Sequence, residues 1–284
     1  MPQSISCGSC GNKIPQSSET CPHCGRPGIY WNVLAAEDPA EEAELMDRYE
    51  QAKAEATARG VAKQFTSFEL ALANSRAVIA RPESEVLRLA SSTRQLYATY
   101  YQLIDAGVRL PDSDEWDNLR ELADVVLFAK YKDSIRFATL SLNGIGLSNY
   151  GSCSVVLKDE MIAHRTSVLE ENSALFVQRH RIEISKFPDI PKGRRATWTD
   201  RAKLCVTKLS KKLTATTRPE DYSGILLKQG ATSNDDEFVE AHIFGPITVL
   251  SMQRIIITEP DEGKKSVIRR AIEAKLSAHN VPVN

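Results

Sequence analysis

The chain has 284 residues, of which 42% are hydrophobic and 26% charged, and a formal net charge of −1; these are values of an ordinary soluble globular protein, of one large domain or two modest ones with a small appendage. That balance excludes a global electrostatic drive toward nucleic acid or a membrane surface, and no apolar run approaches the ~18 residues of a spanning helix. The start, MPQSISCGSC, lacks a basic stretch followed by an apolar core, so no signal peptide is expected; six cysteines, four of them in two CxxC pairs, favour metal over disulfides and a reducing cytoplasm as the compartment.

The first thirty residues read as a unit of their own. CGSCG and CPHCG repeat one pattern across ten residues rich in Ser, Gln and Pro. Cys7, Cys10, Cys21 and Cys24 have the spacing of a Cys₄ structural zinc site, in which two knuckles each supply two thiolates. The unit resembles zinc-ribbon and rubredoxin-type knuckles. Four thiolates leave no open coordination position, so the zinc is expected to be structural, with His23 pointing away. So little apolar sequence surrounds the cysteines that folding should depend on the metal.

Residues 31–110 are expected to form a helical section. Pro39 and the glutamates after it open a helix that Gly60 closes, read as a solvated connector. FELALANSRAVIARP (68–82) fits helix or strand. Pro82, Ser84 and Glu85 open a further helix through Val86, Leu87, Leu89, Leu96, Tyr97, Tyr100, Tyr101 and Ile104, closing near Gly107. The next helix follows Ser113 and carries Trp116, Leu119, Leu122, Val126 and Leu127 at helical spacing.

After Tyr131 the text becomes strand-rich: 134–142, 152–158, 174–184, 224–230, EFVEAHIFG and 247–258, punctuated by Gly and Asn turns. RAKLCVTKLSKKL (201–213) and the C-terminal GKKSVIRRAIEAKLSAH read as helices. The expected fold class is α+β: a zinc ribbon (1–30), a helical section (31–110), then a mixed, mainly antiparallel sheet domain with flanking helices (111–284). Cys153 and Cys205 lie in apolar patterns and are expected to be inert core thiols.

No P-loop, dinucleotide fingerprint, HExxH or nucleophile elbow is present. Basic residues outnumber acidic ones between Arg179 and Lys212, a stretch that can track phosphates or form a solvated surface. The remaining signal is polar residues inside strand-like text: NYGSCSVVLK, AHRTSVLEENS and EFVEAHIFGP. In the last of these, Phe238, Glu240, His242 and Phe244 share one strand face and Val239, Ala241 and Ile243 the other. A carboxylate midway along an apolar strand is costly unless it is paired.

An Arg-containing segment, a Thr-Ser pair and a late E-x-[QH]-I-x-G-P strand together resemble the ADP-ribosyltransferase-like toxin domains of bacteria, over about residues 130 to 260. The resemblance implies NAD as substrate, with Arg165 on its phosphate or ribose and Thr166, Ser167 and Tyr150 shaping the pocket. Glu240 would be the catalytic carboxylate, assisted by His242. It implies an NAD-consuming transferase, a toxin or phage-defence effector, with an antitoxin or other protein partner. Two further readings stand beside it. One is a non-enzymatic zinc-ribbon module binding protein, or binding nucleic acid through residues 179–212. The other is a nuclease-like effector using Glu240, His242 and Arg165.

Overall fold

The computed structural model describes residues 4–6, 12–15, 21, 23, 30–98, 115–185, 188–232, 235–258 and 267–284. Two short strands, β1 (Ser4–Ser6) and β2 (Lys13–Pro15), pair antiparallel with Ser6 opposite Lys13. Of the four expected zinc ligands, Cys7, Cys10 and Cys24 lie outside the described residues; Cys21 is buried, and His23 is exposed as expected.

The chain continues through α1 (Trp31–Ala36), α2 (Pro39–Ala58), α3 (Ala62–Leu72), β3 (Arg76–Arg81) and α4 (Glu83–Leu89). Next come α5 (Glu115–Phe128), β4 (Ile135–Ser141), β5 (Cys153–Leu157), the single turn α6 (Asp159–Ile162) and β6 (Thr166–Leu169). Then follow α7 (Ser173–Arg179), β7 (Arg195–Thr197), α8 (Arg201–Leu209) and α9 (Tyr222–Leu226). The described chain ends with β8 (Glu240–Phe244), β9 (Met252–Ile257) and α10 (Val267–Ser277).

The fold is α+β. Strands β3 to β9 form one open seven-stranded sheet in the order β7-β6-β8-β4-β3-β5-β9, and every ladder in it is antiparallel. β3, from the section expected to be mainly helical, lies between β4 and β5. Residues 31–110 and 111–284 therefore share one sheet, and the boundary expected at 110 does not separate two cores. The ambiguous stretch 68–82 is both things in turn, the end of α3 and then β3.

Register sorts the side chains of the sheet onto two faces. Thr139 pairs with Glu240 and Phe137 with His242, while Leu169 also pairs with Glu240 and Ser167 with His242. These residues lie on one face, which α5 and α7 cover with Ala123, Val126, Phe128, Ala174, Phe176 and Val177. Alternation puts Ala138, Leu140, Val168, Ala241 and Ile243 on the opposite face, in the larger core with Phe65, Phe68, Leu72 and Leu204. Fully burying one such Phe or Leu contributes about 1.5–3 kcal/mol. Cys153 and Cys205 sit in this core, where burial pushes their thiols up to about 11 and about 12, as inert thiols should be.

Several local expectations change. α2 starts and stops where the sequence indicates: Asp38 accepts the Ala40 N–H at 2.9 Å and Gly60 ends it at φ +74°. It is not a solvated connector, because its Leu45, Ala52 and Ala56 are buried in the main core and its Glu41 is wholly buried. α4 ends at Leu89 instead of continuing toward Gly107. Ser91 Oγ donates back to the Leu87 carbonyl at 2.8 Å, the competition with helix that serines offer; Tyr100, Tyr101 and Ile104 lie outside the described residues. The expected strands at 174–184 and 224–230 contain helices α7 and α9. Asn172 caps α7, its Oδ1 accepting from Ala174 N and Leu175 N at 2.9 and 3.1 Å.

Candidate functional site

The site is built around Glu240 at the start of β8. Its residue is 5% exposed, and Oε2 accepts both the Ser173 backbone N–H at 2.8 Å and a bond with His242 Nε2 at 3.1 Å. The carboxylate thus meets the first N–H group of α7, where negative charge is favoured. Oε1 takes no hydrogen bond from the described residues, and Glu240 lines a cavity that holds about 670 Å³ of empty space, open solvent at its mouth included.

Tyr150, Arg81, Arg120, Thr139 and Ser173 share that cavity, with Val78, Phe137, Leu147 and Phe238 as apolar lining. Tyr150 is carried by the loop between β4 and β5, which is fixed at two points. Asn149 Nδ2 donates to Asp236 Oδ1 at 3.1 Å, and Ser148 N to Gln229 Oε1 at 3.0 Å. Gly151, at φ +141°, lets the loop lie against β3: a Cβ there would come within 2.1 Å of the Arg81 carbonyl carbon. Burial, and then the Glu240 and Asp236 carboxylates, push the Tyr150 phenol up to about 12.

Arg81 ends β3. Its guanidinium lies 4.7 Å over the Tyr97 ring and 3.4 Å from Glu85. Burial first, with the neighbouring Arg120 also contributing, lowers its pKa. Arg120, on α5, lies 5.1 Å over Phe137. Two guanidiniums near enough to repel one another thus border the cavity that holds the Glu240 carboxylate.

The residues expected from sequence divide between separate places. Glu240 and Tyr150 line this cavity. His242 bonds to Glu240 but turns its ring between Phe128 and Phe137, at 4.7 and 5.5 Å between centroids. With Ser167 and Asn32 it lines a second, smaller cavity. Asn32 holds the strands there, donating to the carbonyls of Arg165 and His242 at 3.1 and 2.8 Å. Thr166 faces the other side of the sheet, because adjacent strand residues alternate, and its hydroxyl donates to the Ile162 carbonyl at 2.7 Å. Arg165 is a clamp: its guanidinium donates to the carbonyls of Met161 and Pro246, each at 2.9 Å, and to that of Phe244. The expected grouping of Arg165, Thr166 and Ser167 around Glu240 is therefore not formed. Arg81 and Arg120 are the cavity residues that sequence reading missed. An arginine closing the strand RAVIAR just before Pro82 was the available signal.

The basic residues from 192 to 212 are ion-paired within the protein. Every Lys and Arg from 192 to 212 lies within ion-pair distance of an acid: Lys192 of Asp38, Arg194 of Glu170, Arg195 of Glu41, Arg201 of Asp159, Lys203 of Asp200, Lys208 of Glu170 and Glu171, Lys211 of Glu55 and Lys212 of Glu237. Glu170, Glu171 and His180 bring ligand-type atoms within 4.8 Å of one another. Arg48, Arg179, Arg194 and Lys208 already surround those two carboxylates, which opposes a divalent ion there. Among the described residues no helix is long and apolar enough to cross a membrane.

No protein-family model matches the chain, and no curated protein matches its sequence.

Proposed function

We propose that the chain is an NAD-consuming ADP-ribosyltransferase. The observation that carries this reading is one cavity lined by a carboxylate with an open oxygen, Glu240, and by two arginines, Arg81 and Arg120. NAD needs both kinds of group. Its pyrophosphate takes forked guanidinium donors, and the ribose gains positive charge as the bond to nicotinamide breaks. In that step the ribose C1–N bond breaks and its electron pair leaves with neutral nicotinamide. The acceptor nucleophile then bonds to C1 and releases a proton. Glu240 stabilises the charge on the ribose, Arg81 and Arg120 hold the phosphates, and His242 orients Glu240. The role that the family resemblance gives to Arg165 passes to Arg81, which lines the cavity with Glu240, whereas Arg165 lies outside that lining and donates to three backbone carbonyls.

The N-terminal knuckle is proposed to hold structural zinc through Cys7, Cys10, Cys21 and Cys24, on the spacing of the two CxxC pairs. The alternative of nucleic-acid binding through residues 179–212 draws little support from the bases of 192–212, which are already ion-paired. The test is nicotinamide release from NAD by the full chain. Release should fall by about 10²-fold or more in Glu240→Gln, the scale of losing one preorganised electrostatic contact. Equal release by both proteins would remove Glu240 from the chemistry.

A further inference from the structure

A second cleft adjoins the Glu240 cavity and shares Asn172 and Phe238 with it. It lies between α7, α8 and the segment that precedes β8, and holds about 720 Å³ of empty space, open solvent included. Two buried carboxylates line it, and each has an oxygen that accepts no hydrogen bond: Asp236 Oδ2 and Glu171 Oε1. Asp236 is 2% exposed and Glu171 7%. Asp236 Oδ1 is satisfied by Asn149 Nδ2 and by Gly230 N at 2.8 Å. No described base lies within ion-pair distance of Asp236, whereas Glu171 has Arg179 and Lys208.

A buried carboxylate with an empty acceptor and no cation is expensive. A ligand that supplies the missing charge would offset that cost. We infer that this cleft binds an organic cation, a guanidinium or ammonium group, with Asp236 as its main anchor. The exposed Asp235 beside it adds negative charge at the same wall. The bases that line the cleft, Arg179, Lys208 and Lys212, lie within ion-pair distance of Glu171, Glu170 and Glu237 and not of Asp236. A divalent metal fits less well. Hard cations need about six oxygen ligands, and the corner where Glu170, Glu171 and His180 converge is already crowded by basic side chains. The cleft opens next to the cavity, so a cation held there would lie beside the proposed NAD site. That it belongs to the acceptor of the transfer rests on the function proposed above; binding of the cation does not.

The test is a calorimetric titration of the zinc-loaded full chain with agmatine, a small guanidinium amine, in parallel with magnesium and calcium salts. Saturable agmatine binding is expected, weakened tenfold or more in Asp236→Asn and at least measurably in Asp235→Asn, with both variants checked for a cooperative melt. If Asp236→Asn fails to fold, the wild-type and Asp235→Asn titrations decide. Absence of saturable agmatine binding to the wild type, binding unchanged by the substitutions, or binding of divalent ions in place of agmatine would each overturn the inference. A protein that binds agmatine but not NAD would keep the cation cleft and remove the transferase reading.

Discussion

The Glu240 carboxylate on β8 accepts the backbone N–H of Ser173 at 2.8 Å, so a strand side chain is joined to the start of a helix across the sheet face. The same Oε2 meets His242. Glu240 therefore has a structural task and, through Oε1, a vacant acceptor at the cavity. The two can be separated by substitution. Glu240→Ala strands the Ser173 N–H and should cost about 1–3 kcal/mol, the penalty of an unsatisfied buried donor. Glu240→Gln keeps an accepting oxygen and should cost less, while losing the charge that the proposed transfer uses. Urea denaturation of the two variants measures the difference, and equal losses would show that Ser173 gains nothing from the contact.

Arg165 and Arg81 are expected to respond in opposite ways. Arg165→Ala removes three donors from backbone carbonyls and should lower stability by about 2 kcal/mol or more. Arg81→Ala should reduce affinity for NAD by tenfold or more with a smaller loss of stability. Denaturant midpoints and NAD titrations on both proteins check this, and a reversed pattern would return Arg165 to the ligand.

Neutralising Arg194 and Arg195 tests the ion-paired face. Arg195 Nε lies 2.8 Å from the fully buried Glu41, and Arg194 Nη1 2.7 Å from Glu170. Removing one partner of a buried pair costs about 3–5 kcal/mol, so the double alanine variant should unfold well below the wild type. Unchanged stability together with lost, salt-sensitive nucleic-acid affinity would favour the binding-module reading instead.

Tyr150 sets a pH window. Its folded-state pKa is raised to about 12 above an ordinary value near 10. The stability linked to its neutral phenol is thus complete below about pH 10. It is lost as pH rises through the folded value. Stability profiles of wild type and Tyr150→Phe should diverge only within that window, with the wild type losing stability faster; parallel profiles would contradict the burial of its phenol.

Much of the fold was legible because local chemistry and tertiary packing agree. α2 has its cap at Asp38 and its stop at Gly60, and β8 has a clean alternation that places Glu240 and His242 together. Failures arose where one residue type serves two purposes. Asn172 and Ser173 favour turns and helix caps alike, so α7 was read as a strand. The alanines of α2 looked solvated, yet small side chains are what allow α8 to approach. For the candidate site, the Glu240 face was readable from period-two alternation. Its companions were not, because Arg81 and Arg120 come from β3 and α5, distant in sequence, and only the tertiary arrangement, with β3 two strands away from β8 and α5 over the same sheet face, brings them to the cavity. The same alternation separates Thr166 from Ser167, an argument that the sequence already permitted.

Zinc analysis of the full chain is expected to give one ion per molecule, with the metal lost in Cys21→Ser, a single ligand replaced in a closed site. Full metal content in that variant would contradict the Cys₄ assignment.

The most direct measurement is a calorimetric titration of the full chain with NAD. Saturable binding is expected for the wild type and for Glu240→Gln, with a tenfold or greater loss in Arg81→Ala. No saturable heat at millimolar NAD would contradict NAD as the ligand of the Glu240 cavity.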